Sequence, residues 1–347
     1  MNYITKMLTT SDAGIAEASN LLKAGEVIGI PTETVYGLAA DATNEEAVKK
    51  IFIAKGRPQD NPLIVHIADL SMMTDYVKDV PAIAYKLAEK FWPGPLTMVL
   101  PKKDIIPCIT SGGLDTVGIR FPSNKIAQQI IMTCGKPLAA PSANLSGSPS
   151  PTTSKHVFDD MNGRVPAIVD GGACEVGVES TVISFEGDVI RLLRPGYISL
   201  EDLKSVTENV VADKGILNKI GETDKVLSPG MKYKHYSPKA NVIIIESSLD
   251  DFVSYVSEHV SENTYAMIFD NDKINYPFQY LTYGNSSEEQ AHEIFDKLRE
   301  FDKLGADTVF ARSPSKDGVG LAVYNRLLRA AGFEVVKIWV EYQTSLS

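Results

Sequence analysis

Val242-Ile243-Ile244-Ile245 is an apolar run without polar alternation, the pattern of a strand buried on both faces. A helical pattern follows over residues 250–260. A second apolar strand, Ala266-Met267-Ile268-Phe269, comes next. Ser286 and Glu289 then form a capping box, in which each side chain satisfies a backbone N–H of the other residue. Ala291, Ile294, Phe295, Leu298 and Phe301 follow on one helical face. Residues 309–311 read as a strand and 321–331 as a helix, with Arg326 and Arg329 late in it. Strand and helix in alternation predict a parallel sheet covered by helices. Residues 241–347 are therefore expected to form a small doubly wound α/β domain.

Working back from there, residues 206–240 lack sustained periodicity. They hold Ser228-Pro229-Gly230 and Lys232-Tyr233-Lys234-His235-Tyr236-Ser237-Pro238. This reads as an inter-domain linker, and its aromatic residues suggest a segment resting on a surface rather than a bare spacer. Residues 1–205 form a first domain of short apolar runs and helical patterns. Strands are expected at 27–30, 63–67, 96–100, 116–121 and 138–140. A strand pair at 182–185 and 189–193 turns at Glu186-Gly187-Asp188. A helix should start at Thr43, capped with Glu46, and stop at Gly56. Another covers 125–134, with Ile126, Ile130 and Ile131 on one face.

Charge bounds the function. The chain has 347 residues and a net charge of −10. Residues 1–205 carry 19 Lys and Arg against 23 Asp and Glu, and the remainder carries 15 against 21. A protein that holds nucleic acid by neutralising phosphates shows a basic excess, and neither section has one. No apolar run is long enough to span a bilayer, and no signal peptide opens the chain. Cys108, Cys134 and Cys174 form no CxxC motif, which suits free thiols in a reducing cytoplasm. There is no GxxxxGK[ST], GxGxxG, HExxH or GxSxG.

The chemistry must then sit in less standard loops. Four polar clusters lie at the ends of apolar strands, where α/β proteins place ligands. Pro31-Thr32-Glu33-Thr34-Val35-Tyr36-Gly37-Leu38 offers hydroxyls to a small polar substrate, although a capped turn has the same composition. Lys55-Gly56-Arg57-Pro58, with Asn61 and His66 nearby, offers a mobile point charge and a bidentate fork to a triphosphate. By itself it reads better as a solvated helix C-cap. Pro141-Ser142-Ala143-Asn144-Leu145-Ser146-Gly147-Ser148-Pro149-Ser150 could cradle phosphate or ribose. Gly177-Val178-Glu179-Ser180-Thr181 is joined by Arg194, directly after an apolar strand. Arg120 lies inside another strand and needs a carboxylate partner from protein or ligand. Together these suit an anionic nucleotide beside a small amino acid.

These stretches, together with Trp92-Pro93-Gly94-Pro95-Leu96-Thr97 and Leu193-Arg194-Pro195-Gly196, resemble the YrdC family in consecutive order over about residues 10–200. Pro229-Gly230-Met231, His235-Tyr236 and Pro238 resemble its long, two-domain threonylcarbamoyl-AMP synthase form. The resemblance implies a twisted open α/β domain around a large cavity, plus a smaller Rossmann-like parallel α/β domain. It implies ATP near Lys55, Arg57, Asn61, Thr116, Ser142, Asn144, Ser150 and Arg194, with Lys55 and Arg57 acting on the reacting phosphates. Threonine would sit near Thr32, Thr34, His66, Arg120 and Ser180, with its carboxylate on Arg120. Tyr233, His235 and Tyr236 would fold over the nucleotide as a lid. The implied substrates are ATP, L-threonine and bicarbonate, with Mg2+ carried on the phosphates. The product would pass to a tRNA threonylcarbamoyl transferase, tRNA itself being bound weakly or indirectly. Three other readings compete, one of them a scaffold role in which the C-terminal domain docks a partner. A hydrogenase-maturation carbamoyltransferase would bring cysteine-rich zinc modules, which this chain lacks. A double-stranded RNA-binding or ribosome-assembly module would bring a basic face.

Overall fold

The computed structural model describes residues 3–59, 61–218, 236–272 and 276–338. Eleven strands form the first sheet. They are β1 (Lys6–Leu8), β2 (Ile28–Ile30), β3 (Gly37–Asp41), β4 (Ile64–His66), β5 (Leu96–Pro101), β6 (Thr116–Arg120), β7 (Leu138–Ala139), β8 (Ala167–Val169), β9 (Thr181–Glu186), β10 (Val189–Arg194) and β11 (Val210–Ala212). Their spatial order is β1-β8-β2-β3-β7-β4-β6-β5-β9-β10-β11, with mixed parallel and antiparallel pairing. The sheet does not stop at residue 205. β11 pairs parallel with β10, so the start of the expected linker belongs to this sheet.

The second sheet holds β12 (Asn241–Glu246), β13 (Thr264–Ile268), β14 (Gln279–Thr282), β15 (Thr308–Arg312) and β16 (Val335–Lys337), in the order β14-β13-β15-β12-β16. Every pairing in it is parallel, as the alternating pattern predicts. Its helices include Leu249–His259, Ser287–Leu304 and Gly320–Ala330. The Ser286–Glu289 capping box forms, and Gly305 closes that helix in the left-handed region at φ 72°.

One expected cap is displaced. Thr43 does not cap the helix Glu45–Lys55; Asn44 does, accepting from the backbone N–H groups of Glu46 and Ala47. The Thr43 hydroxyl instead donates to Asp41 Oδ1 at 2.7 Å, so it is already used. Glu45 and Glu46 sit at the positive end of the helix dipole, and Gly56 stops the helix at φ 62°. Val48, Ile51 and Phe52 bury its inner face, while Ile53 points outward.

The two domains share one core. Val35 and Val178 of the first domain pack with Tyr236 and with Phe295 and Leu298 of the second. At Gly177 the backbone has φ 86°, and an added Cβ would lie 2.3 Å from the Ala291 carbonyl oxygen and 2.5 Å from His292 Cα. Only glycine fits this close approach.

Candidate functional site

Strand register builds the site. Pairing places Arg120 opposite His66 on one side and opposite Thr97 on the other. Side chains that pair across neighbouring strands share a face, so these three stand in a row. Ser180 extends the row, one residue ahead of Thr181, which pairs with Leu96. The hairpin of β2 and β3 brings Thr32 and Thr34 over this row. Arg120 Nη1 donates to Thr34 Oγ1 at 2.9 Å. The other predicted clusters close the far side: Lys55 ends its helix, and the loop 141–150 follows β7.

The result is a cavity of about 730 Å³, its open mouth included. That size suits a nucleotide-sized ligand. Thr32, Thr34, Lys55, Arg57, His66, Arg120, Ser142, Asn144, Ser180, Arg194 and Tyr236 all line it. Four of these are Lys or Arg, and Glu179 is the acidic lining residue. The chain is acidic, yet the cavity wall is cationic, as an anionic ligand requires.

Several predicted side chains have partners the sequence did not suggest. Lys55 Nζ donates to the Ser142 carbonyl, to the Asn144 carbonyl at 2.7 Å and to Asn144 Oδ1 at 3.4 Å. Lys55 therefore ties the 141–148 loop to the helix end. Burial, with Arg57 beside it, pulls its pKa well below the usual lysine value. Arg120 has its carboxylate inside the protein: Glu33 Oε1 lies 2.7 Å from Nη2, both side chains being buried. A bound amino-acid carboxylate would share Arg120 rather than be its first partner. Ser180 Oγ lies 2.8 Å from Thr97 Oγ1 and accepts from Arg194 Nη2 at 3.1 Å. Burial lowers Arg194 to about 10, so it stays cationic at neutral pH. Thr32 Oγ1 donates to the Val35 carbonyl at 2.6 Å, which shapes the turn. The Tyr36 hydroxyl is committed to the Gly172 carbonyl at 2.7 Å.

Three expected nucleotide residues do not line the cavity. Asn61 is buried outside its lining, and its side-chain amide makes no hydrogen bond. Thr116 lines a smaller neighbouring cavity with Ile64, Thr97 and Val182. Ser150 is buried, and its hydroxyl is spent on Glu179 Oε1. Tyr233 and His235 lie outside the described residues. Tyr236 is the part of the expected lid that the structure places: it is buried, its ring 5.2 Å from that of Phe295.

Sequence reasoning missed the pairing that backs the wall. Glu179 is buried and receives Arg326 Nε at 2.7 Å, an ion pair between domains. The Arg326 side chain is fully buried. Its only sequence signal was a pair of arginines late in a helix, a place where cations are ordinary.

His66 is buried, with Nδ1 3.3 Å from the Ile64 carbonyl oxygen. Burial first, and then the Arg120 charge, lower its pKa from 6.5 to about 3. The folded protein thus refuses a proton that the unfolded chain accepts. Stability from this site is present above pH 6.5 and falls as pH drops towards 3. Between pH 6.5 and 5 the loss is expected to be about 2 kcal/mol. Urea melts at the two pH values check this: His66→Gln should flatten the dependence, and equal slopes would refute a neutral buried imidazole.

A family model described as telomere recombination, for the Sua5, YciO and YrdC proteins, matches residues 20–196. A second, described as the threonylcarbamoyl-AMP synthase C-terminal domain, matches residues 198–332. The threonylcarbamoyl-AMP synthase of Bacillus subtilis is 44% identical over 340 residues, covering 96% of this chain and 97% of its own. The chain belongs to the threonylcarbamoyl-AMP synthase family. A second family member, from Pyrococcus abyssi, is 42% identical over 330 residues, covering 92% of this chain and 95% of its own. The crystal structure of P. abyssi Sua5 complexed with L-threonine has a TM-score of 0.90 at 39% identity, covering 96% of this chain and 100% of that one. E. coli YciO, at 25% identity and a TM-score of 0.50, covers 55% of this chain and 96% of its own, in keeping with a one-domain relative of this two-domain family. Among the described residues, no helix is long and apolar enough to cross a membrane.

Proposed function

We propose that the cavity condenses L-threonine, bicarbonate and ATP into threonylcarbamoyl-AMP and pyrophosphate, the first step in making threonylcarbamoyladenosine on tRNA. One observation carries this reading: a cationic, hydroxyl-lined cavity in a chain that aligns with family members over nearly its whole length. In the reaction, the threonine amine attacks the bicarbonate carbon, and water leaves. One oxygen of the resulting N-carboxylate attacks the α-phosphorus. The bond to the bridging oxygen breaks, and pyrophosphate departs with the electron pair.

The protein's part is positioning and charge stabilisation. Thr34, Ser180, Arg120 and neutral His66 form the threonine side. Neutral His66 adds no positive charge where the amine must react. Arg57, Arg194 and the 141–148 loop form the phosphate side, with Lys55 holding that loop. Tyr236 lines the cavity near the end of the linker, and a covered site protects the labile N-carboxylate from water. Magnesium would be carried on the ATP phosphates. Among the described residues no group of three or more His, Cys, Asp or Glu side chains is placed to hold a metal, and Glu33 and Glu179 are paired to arginines. The product would pass to a tRNA threonylcarbamoyl transferase in the cytoplasm.

The test is pyrophosphate release from ATP, with threonine and bicarbonate supplied together or omitted in turn. Release that needs both, with labelled threonine and bicarbonate carbon on AMP, is the expected result. No release, with salt-sensitive binding of double-stranded RNA instead, would overturn it.

A further inference from the structure

Two arginines of the second domain bear on one loop of the cavity wall, Arg299 directly and through Asp160, Arg326 through Glu179. Arg299, on the helix Ser287–Leu304, grips Asp160 with a fork: Nη1 to Oδ1 at 3.1 Å and Nη2 to Oδ2 at 2.7 Å. Its Nη2 also donates to the Pro149 carbonyl at 2.6 Å. Asp160 Oδ2 accepts the backbone N–H of Leu145 at 3.3 Å. Arg326 grips Glu179, and Glu179 accepts the Ser150 hydroxyl. The backbone N–H of Ser237, just after the linker, donates to the Gly147 carbonyl at 2.8 Å. Both ends of the stretch 145–150, and its middle, are therefore fastened by groups that the second domain or the linker end holds.

Adhesion between the domains does not require this. Apolar packing of Val35, Val178 and Tyr236 against the second domain already supplies it. Buried ion pairs carry a desolvation cost and are poor glue. Here they stand where they fix a loop whose own residues are small, polar and conformationally loose.

We propose that Arg299 and Arg326 are positioning residues for ATP, holding the loop 142–150 in its binding shape through Asp160 and Glu179. The second domain is thereby part of the nucleotide site without touching the nucleotide. This rests on the reading that the loop lies on the phosphate side.

The experiment uses the full chain carrying Arg299→Gln, Arg299→Lys or Arg57→Ala. Steady-state pyrophosphate release gives KM for ATP and for threonine, and hydrogen exchange reports the loop amides. In Arg299→Gln, KM for ATP should rise on the order of tenfold while that for threonine stays within about twofold. Arg299→Lys keeps the charge without the fork, so its ATP KM should fall between the two. Exchange at Leu145 and its neighbours should speed up in both variants, which reads the loop even where activity is lost. Unchanged exchange and an unchanged ATP KM would overturn the inference, as would equal rises for both substrates. Arg57→Ala separates the two levels: a raised ATP KM there, beside a silent Arg299→Gln, sinks only the positioning role. An unmoved ATP KM in Arg57→Ala sinks the phosphate-side reading itself.

Discussion

Arg326→Met is expected to cost the fold about 3–5 kcal/mol, because it strands a buried carboxylate. Glu179 is buried, and against the upward pull of that burial its pKa is held low by Arg326 and then Arg194. Methionine fills much of the guanidinium's volume but offers no donor. Glu179 must then take up a proton or drag water into the interface. The loss should shrink in the double variant Glu179→Gln, Arg326→Met, where no charge is left alone. Urea denaturation of the four proteins in this cycle measures it. A single-variant loss under about 1 kcal/mol would mean that the pair contributes nothing to holding the domains.

Lys55→Met should lower kcat/KM for ATP by about 10²–10³, the range seen when one preorganised donor is removed from a charged site. The route differs from that of a phosphate-gripping lysine. Its ammonium is spent on the Ser142 and Asn144 oxygens, so the first casualty is the shape of the phosphate-side loop. Arginine should not rescue it, since a flat fork cannot aim at these three oxygens from one point. A methionine variant with wild-type kcat/KM for ATP would remove Lys55 from the site.

Much of the second domain was legible in the sequence. Its strand Asn241–Glu246 carries an unbroken Val and Ile run, and its long helix opens on a capping box that the structure shows formed. The short strands were not legible, for physical reasons. Gly37–Asp41 is buried throughout but is built of Gly, Leu and Ala, which carry little strand preference. Gln279–Thr282 sits at a sheet edge, half exposed, with no full apolar face to detect. For the site, the polar loops were visible as clusters, and most of their residues do line one cavity. Their pairings were not visible. Glu33 meets Arg120 only because the β2–β3 hairpin folds over β6. Glu179 meets Arg326 across 147 positions of chain, a distance over which local pattern carries no information. Asn61 and Thr116 are small polar residues outside the cavity lining, Thr116 in a smaller neighbouring cavity, a displacement that sequence alone does not resolve.

The crowding at Gly177 bears on interchangeability. The atoms that a side chain there would strike are main-chain atoms of Ala291 and His292, which every sequence possesses. At this point each domain recognises the course of the other's backbone rather than its residues. Second domains from distant relatives should therefore meet this first domain's backbone at the same point, and compatibility would be decided where side chains cross, at Arg299 and Arg326 and at the apolar Phe295 and Leu298.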